Sequence, residues 1–219
     1  MAVIVLTPIQ KKTLAHLAKD QIFLKHFYFT GGTVLAEYYL KHRLSEDLDF
    51  FSFEEIEPLW IANIAKSLKN ILGADSVDIQ QSFNRNLVFL TFGREILKTE
   101  FTYFPFTQLD SPKNIDGIKV DSIKDLAVNK FFTIYQQPSS RHFIDLYLIL
   151  KKYQFEWEEL PKLARLKFDT VIDPIQLGSQ LTTAQDIQEL PRMLIDLPEN
   201  EWRTFFIDRA KGLKKEIET

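Results

Sequence analysis

Two aspartates one residue apart, Asp47 and Asp49, stand in Asp47–Phe53, whose alternation of side chains predicts a β-strand. Leu48, Phe50 and Ser52 point one way; Asp47, Asp49 and Phe51 point the other. The two carboxylates therefore share one strand face, about 6–7 Å apart. At that spacing they repel unless a cation lies between them, and Mg²⁺, which takes carboxylate and phosphate oxygens as ligands, suits such a site. Upstream, Phe29-Thr30-Gly31-Gly32-Thr33 is a glycine turn that opens a helix. Backbone N–H groups at such a turn have no intrahelical partner and favour an anion, phosphate above all. A third carboxylate is wanted from a neighbouring strand. Glu100 fits best: in Leu97–Tyr103 it shares a face with Lys98 and Thr102, while Leu97, Thr99, Phe101 and Tyr103 take the other face. Glu95, beside a turn, and Asp78 are its competitors.

These residues need a scaffold. Thr7-Pro8 predicts a helix start, with a capping hydroxyl followed by proline at the first helical position. A short strand over Phe27–Thr30, a helix over Thr33–Lys41 and a helix over Glu54–Leu72, stopped at Gly73, surround the aspartate strand. Strands over Ser76–Phe83, Asn86–Phe92 and Glu95–Phe104 follow, with Asn84-Arg85 and Gly93-Arg94 as hairpin turns and a last short strand at Ile118–Val120. Beyond Asp121 the pattern turns helical: Lys124–Tyr135, Arg141–Lys152, Trp157–Phe168, Ile175–Thr183 and Glu199–Ile217. The fold class is therefore α+β. A small mixed β-sheet domain flanked by helices is expected over residues 1–120, and a helical domain over 121–219.

Composition bounds the functions. The chain has 219 residues, of which 45% are hydrophobic and 26% charged, in the range of globular proteins. It contains no cysteine, which excludes disulfides, thiolate nucleophiles and iron–sulfur clusters. A net charge of −3 gives no support to a general nucleic-acid coat protein. The 19 phenylalanines favour a large aromatic core. The start, Met1–Leu6, lacks the basic flank of a signal peptide, and no apolar run reaches membrane-span length, so the chain is read as cytoplasmic with no membrane partner. His16, His26, His42 and His142 form no metal-ligand spacing, and no serine-hydrolase elbow, Walker loop or dinucleotide fingerprint is present.

The residues over about 27–150 resemble the minimal nucleotidyltransferases, most closely the AbiEii/AbiGii toxin family. That family carries a Gly-Gly-Thr or Gly-Ser turn, a short helix and Arg-x-Ser-x-Asp-x-Asp, matched here by Gly31-Gly32-Thr33 and by Arg43, Ser45, Asp47 and Asp49. Its Lys-x-Glu/Asp strand is matched by Lys98 and Glu100. A helical lysine and a helix with Arg-Asp-x-x-Asp-Leu follow in the family; here they correspond to Lys130 and to Arg141-His142-Phe143-Ile144-Asp145-Leu146, with His142 at a usually acidic position.

The resemblance implies transfer of a nucleoside monophosphate from an NTP to an acceptor hydroxyl, with pyrophosphate released. It makes Asp47, Asp49 and Glu100 the catalytic and Mg²⁺-binding residues, and Gly31, Gly32, Thr33, Arg43, Ser45, Lys98 and Lys130 the NTP-binding set. Asp145 would support them, and the site would lie between the two halves. Several residues keep a plainer reading. Arg43 could be a surface arginine, Ser45 a local backbone contact and Lys130 a boundary lysine, and Asp145 could be a surface charge or pair with Lys130 or Arg141. Arg203, Arg209, Lys211, Lys214 and Lys215 read as a solvated helix face, with a basic track for RNA as the minority reading. The resemblance also implies a toxin with a cognate antitoxin, and an acceptor such as tRNA or a protein. The competing functions are a nucleotide-binding or interaction module without turnover and, last, a metal-dependent phosphohydrolase.

Overall fold

The computed structural model describes residues 4–153 and 155–217, with side chains described as far as 213. It divides into two compact units, Met1–Ser122 and Ile123–Thr219.

In the first unit, α1 (Pro8–Leu17) begins at a complete capping box. The Thr7 side chain accepts from the Gln10 backbone N–H, and the Gln10 side chain accepts from the Thr7 N–H. A short helix, α2 (Gln21–His26), not expected from the sequence, leads into β1 (Tyr28–Thr30). The helix expected over Thr33–Lys41 starts earlier and changes character: α3 (Gly31–Val34) runs into a π-helical stretch, Leu35–Leu40, that ends at Lys41 in the left-handed conformation. The strand β2 (Leu48–Ser52) follows, then α4 (Pro58–Leu72), whose start at Pro58 leaves Glu54–Glu57 outside the helix. Strands β3 (Ser76–Ser82), β4 (Arg85–Phe92) and β5 (Glu95–Tyr103) form consecutive hairpins, and β6 (Lys113–Ile115) and β7 (Ile118–Val120) form another. β6 has no counterpart in the sequence reading.

The sheet order is β3-β4-β5-β2-β1-β7-β6. It is mixed: β2 runs parallel to β5 and β1 parallel to β7, and the remaining pairs are antiparallel. The alternation expected for β2 holds, with Leu48, Phe50 and Ser52 buried. Phe50 stands opposite Phe101 in the register of β2 and β5, their ring centroids 5.2 Å apart. Phe23 and Phe29 complete this aromatic core, 4.9 and 5.1 Å from Phe50. Each fully buried phenylalanine contributes about 1.5–3 kcal/mol. Because side chains alternate, fixing Phe50 and Phe101 inward fixes Asp49 and Glu100 on the opposite face.

The second unit contains α5 (Ile123–Gln136), α6 (Ser140–Tyr153), a 3₁₀ turn (Trp157–Glu159) continued by α7 (Leu160–Phe168), α8 (Pro174–Thr182) and α9 (Glu199–Ile217). Phe131, Phe143, Trp157, Trp202 and Phe206 fill its core. A fully buried ion pair, Lys167–Asp125 at 2.6 Å, ties α7 to α5. The expectation of a solvated basic face on α9 fails at Arg203. Its guanidinium donates to the backbone carbonyls of Ala184, Gln185 and Ile187, pairs with Glu199 and stacks on Trp202, so it anchors the preceding segment instead. Lys211 pairs with Asp208 on the exposed side, and Lys214 and Lys215 lie outside the described side chains.

Candidate active site

The site of the first unit is built where three strands meet. Asp49 stands opposite Thr30 in the antiparallel pair with β1 and opposite Glu100 in the parallel pair with β5. Of the three candidate carboxylates, Glu100 is the one that stands in register with Asp49. Glu95 is exposed at the hairpin end of β5, and Asp78, on the edge strand β3, accepts a hydrogen bond from Gln80.

The glycine turn abuts this pair. Gly31, which follows Thr30, has φ +79°, a conformation that favours glycine. A β-carbon there would lie 2.3 Å from Asp49 Oδ2, so the carboxylate rests directly against the turn. At Gly32 a β-carbon would meet Arg43 Nη2 at 2.5 Å and Ser45 Oγ at 3.2 Å. Arg43 is buried, which removes the surface-arginine reading, and one of its N–H groups donates to the Leu44 carbonyl. Gly31, Gly32, Arg43, Ser45 and Asp49 are thus brought together in one place.

The loop that carries Arg43 to Asp47 is held from two sides. The Thr33 hydroxyl donates to the Asp47 carbonyl. Gln10, buried on α1, donates from Nε2 to the carbonyls of Ser45 and Glu46, at 3.3 and 2.8 Å. The sequence reading missed Gln10; its position three residues after the capping threonine was the available signal, and it pointed only to a helix start.

The carboxylates are met by cationic side chains. Lys98 Nζ lies 2.7 Å from Asp47 Oδ2. Arg85 donates to Glu100 through both Nε and Nη2, at 2.7 and 2.6 Å, and the Thr102 hydroxyl donates to the same carboxylate. Burial pushes the Glu100 carboxyl up. The hydrogen bonds from Arg85 and Thr102 and the charges of Arg85 and Lys98 outweigh it, so the net shift is downward. Arg85 is a second residue that the sequence reading misplaced. Asn84-Arg85 was expected to be the turn, whereas the turn is Phe83-Asn84 and Arg85 begins β4, opposite Thr102. Among the described residues no three carboxylates or imidazoles converge as a ready-made metal cluster. The all-oxygen donor set of Asp47, Asp49 and Glu100 nevertheless fits Mg²⁺ in kind, with Asp49 and Glu100 in direct register.

In the second unit, Lys130 of α5 and Asp145 of α6 form a buried ion pair at 2.8 Å, with His142 Nδ1 3.5 Å from the Lys130 ammonium. Arg141 is exposed on the same helix. His16 bonds Ser67, and His26 pairs with Glu54 and stacks on Trp60, in keeping with structural roles.

Known proteins resemble the chain in sequence and in fold. Residues 12–215 match the family described as nucleotidyl transferase AbiEii toxin, type IV toxin–antitoxin system. The chain belongs to this family. An AbiEii relative by sequence is the uncharacterized protein aq_aa25 of Aquifex aeolicus (strain VF5), 33% identical over 147 residues, which cover 66% of this chain and 68% of that protein. The AbiEii chain also has the fold of two solved Helicobacter pylori proteins. JHP933 matches with a TM-score of 0.60 at 18% identity, over 96% of this chain and 90% of that one. A protein provisionally described as a nucleotidyltransferase matches with a TM-score of 0.63 at 16% identity, over 96% and 93%. No helix among the described residues is long and apolar enough to cross a membrane.

Proposed function

We propose that this AbiEii-family chain is a Mg²⁺-dependent nucleotidyltransferase that moves a nucleoside monophosphate from an NTP to an acceptor hydroxyl. The carrying observation is the register of Asp49 with Glu100, next to a glycine turn in which a β-carbon at Gly31 would collide with Asp49. The acceptor oxygen bonds to the α-phosphorus, the bond from that phosphorus to the β-phosphate oxygen breaks, and pyrophosphate leaves. Asp47, Asp49 and Glu100 would hold the metal. The chemistry Mg²⁺ brings when bound is charge stabilisation on the triphosphate and easier deprotonation of the acceptor hydroxyl.

The chain's own residues do the rest. The turn at Gly31 and Gly32 lets phosphate oxygens approach the backbone N–H groups. Buried Arg43, with Ser45, holds positive charge and a hydroxyl against that turn. Lys98 meets phosphate charge on the same sheet face, and Glu100 orients the attacking hydroxyl and takes its proton. Thr33 positions Asp47 through its hydrogen bond to the Asp47 carbonyl. Lys130, paired with Asp145, is a further phosphate-binding residue of this reading. The family's toxin–antitoxin setting supports a cognate antitoxin as partner. The acceptor in this reading is tRNA or a protein.

The test is label transfer from each of the four α-labelled NTPs, with Mg²⁺, to tRNA, to bulk protein and to the chain itself, beside the Asp47→Ala/Asp49→Ala variant. Label on one acceptor, lost in the variant, is the expected result. The second reading, a nucleotide-binding module without turnover, is favoured by the ion pairs that occupy Asp47 and Glu100. It predicts NTP binding with no label on any acceptor and no pyrophosphate.

A further inference from the structure

Arg85 has no part in the motif that defines the site, yet it makes a two-point contact with one of its carboxylates. Both of its bonds to Glu100 run fork to fork, a geometry that a guanidinium forms equally well with a carboxylate or a phosphate. The two partners differ in freedom. The Glu100 side chain is 10% exposed and braced by Thr102, whereas the Arg85 side chain is 57% exposed at the first position of β4. The nearby turn residue Phe83 is fully exposed, so among the described residues none packs over it. A cation arriving at Glu100 therefore meets a rigid carboxylate whose counter-charge sits on a solvated, movable stem. Lys98, in contrast, is itself part of the motif and serves Asp47.

From this asymmetry we infer that Arg85 is an exchangeable placeholder for the divalent cation at Glu100, and that on exchange its guanidinium passes to the phosphates of the incoming nucleotide. The inference rests on the metal-dependent reading above and deepens it. Arg85 competes with the metal for Glu100 and then adds to phosphate affinity, so its removal acts on the two ligands with opposite sign. A merely structural role moves both affinities the same way.

The experiment uses the full chain and two probes: Mn²⁺ binding followed by electron paramagnetic resonance, and inorganic pyrophosphate binding followed by calorimetry at saturating Mn²⁺. Wild type, Arg85→Ala, Arg85→Lys and Asp49→Asn are compared. Arg85→Ala is expected to bind Mn²⁺ about tenfold more tightly and pyrophosphate about tenfold more weakly, in line with the loss of a bidentate charged pair. Arg85→Lys, with the charge kept and the fork lost, should fall between wild type and Arg85→Ala on both counts. Unchanged or weaker Mn²⁺ binding in Arg85→Ala would overturn the inference, and so would an Arg85→Lys protein indistinguishable from wild type. If wild type binds no Mn²⁺, or Asp49→Asn binds it as tightly as wild type, the metal-dependent reading itself falls and takes the inference with it. Mn²⁺ binding that needs Asp49 but ignores Arg85 sinks the inference alone.

Discussion

Asp49 and Glu100 are direct neighbours in the parallel register of β2 and β5, although the whole of α4, β3 and β4 separates them in the chain. Their core-side neighbours, Phe50 and Phe101, are in register too, so packing on one face sets the spacing of carboxylates on the other. Asp49→Asn keeps the shape and the packing while removing the charge. It should lower nucleotidyl transfer by about 10²-fold or more, a scale set by groups that stabilise transition-state charge. Single-turnover label transfer, with circular dichroism as the check on folding, measures this. A fully active Asp49→Asn protein would remove the metal assignment.

The glycine turn supplies a second expectation. Gly31→Ala places a methyl group against Asp49 Oδ2 and forces a side chain into the left-handed region. A cost of about 1–3 kcal/mol is expected, along with displacement of Asp49. Gly32→Ala meets the end of Arg43 and carries no such backbone strain, so it should cost less stability and act on the KM for NTP. Urea midpoints and steady-state kinetics on the two variants separate these effects.

The Lys130–Asp145 pair permits a cleaner division between stability and activity. Removing either partner leaves a buried charge, so Lys130→Met or Asp145→Leu alone should destabilise the chain by about 3–5 kcal/mol. The double variant removes both charges of the pair and should regain most of that loss. Transfer activity should stay absent in the double variant if Lys130 contacts the nucleotide. Recovery of both stability and activity would assign the pair to structure alone.

Acid provides the fourth test. The Glu100 pKa in the folded chain lies below its ordinary value, so the folded chain holds fewer protons at this site than the unfolded chain does. The associated stability is present above the unfolded value, about 4.3, and is lost as pH falls through the lower folded value. Arg85→Ala removes the main lowering contact and leaves burial, which raises the pKa. It should therefore be less stable than wild type near neutrality, by a modest amount because Arg85 is largely solvated, and the gap should close in acid. Denaturant midpoints across the acid range test the sign: a gap that widens as pH falls contradicts it.

Much of this was legible in the sequence, for reasons specific to each residue. The two-residue period of β2 and the polar face Lys98-Glu100-Thr102 announced which side chains would share the site. The capped start of α1 and the halt of α4 at Gly73 were equally plain. Arg85 was not, because the hairpin turn puts positive φ on Phe83, a residue type that ordinarily marks a strand, while Asn84 looked like the turn's natural centre. The loop clamp by Gln10 was hidden because side-chain bonds to distant carbonyls leave no periodic trace. The π-helical stretch Leu35–Leu40 reads as an ordinary helix, since the change lies in backbone pairing rather than composition.

The placement of β5 between β4 and β2 also bears on when the chain becomes active. The parallel pairing of β2 with β5 closes a long loop, the slow and entropically costly kind of contact. A chain emerging from the ribosome carries Asp47 and Asp49 early, but Glu100 joins them only after two hairpins have folded back onto β2. On the proposed assignment of Glu100, products that end before β5 lack the third carboxylate, so transfer waits until most of the first unit has been synthesised.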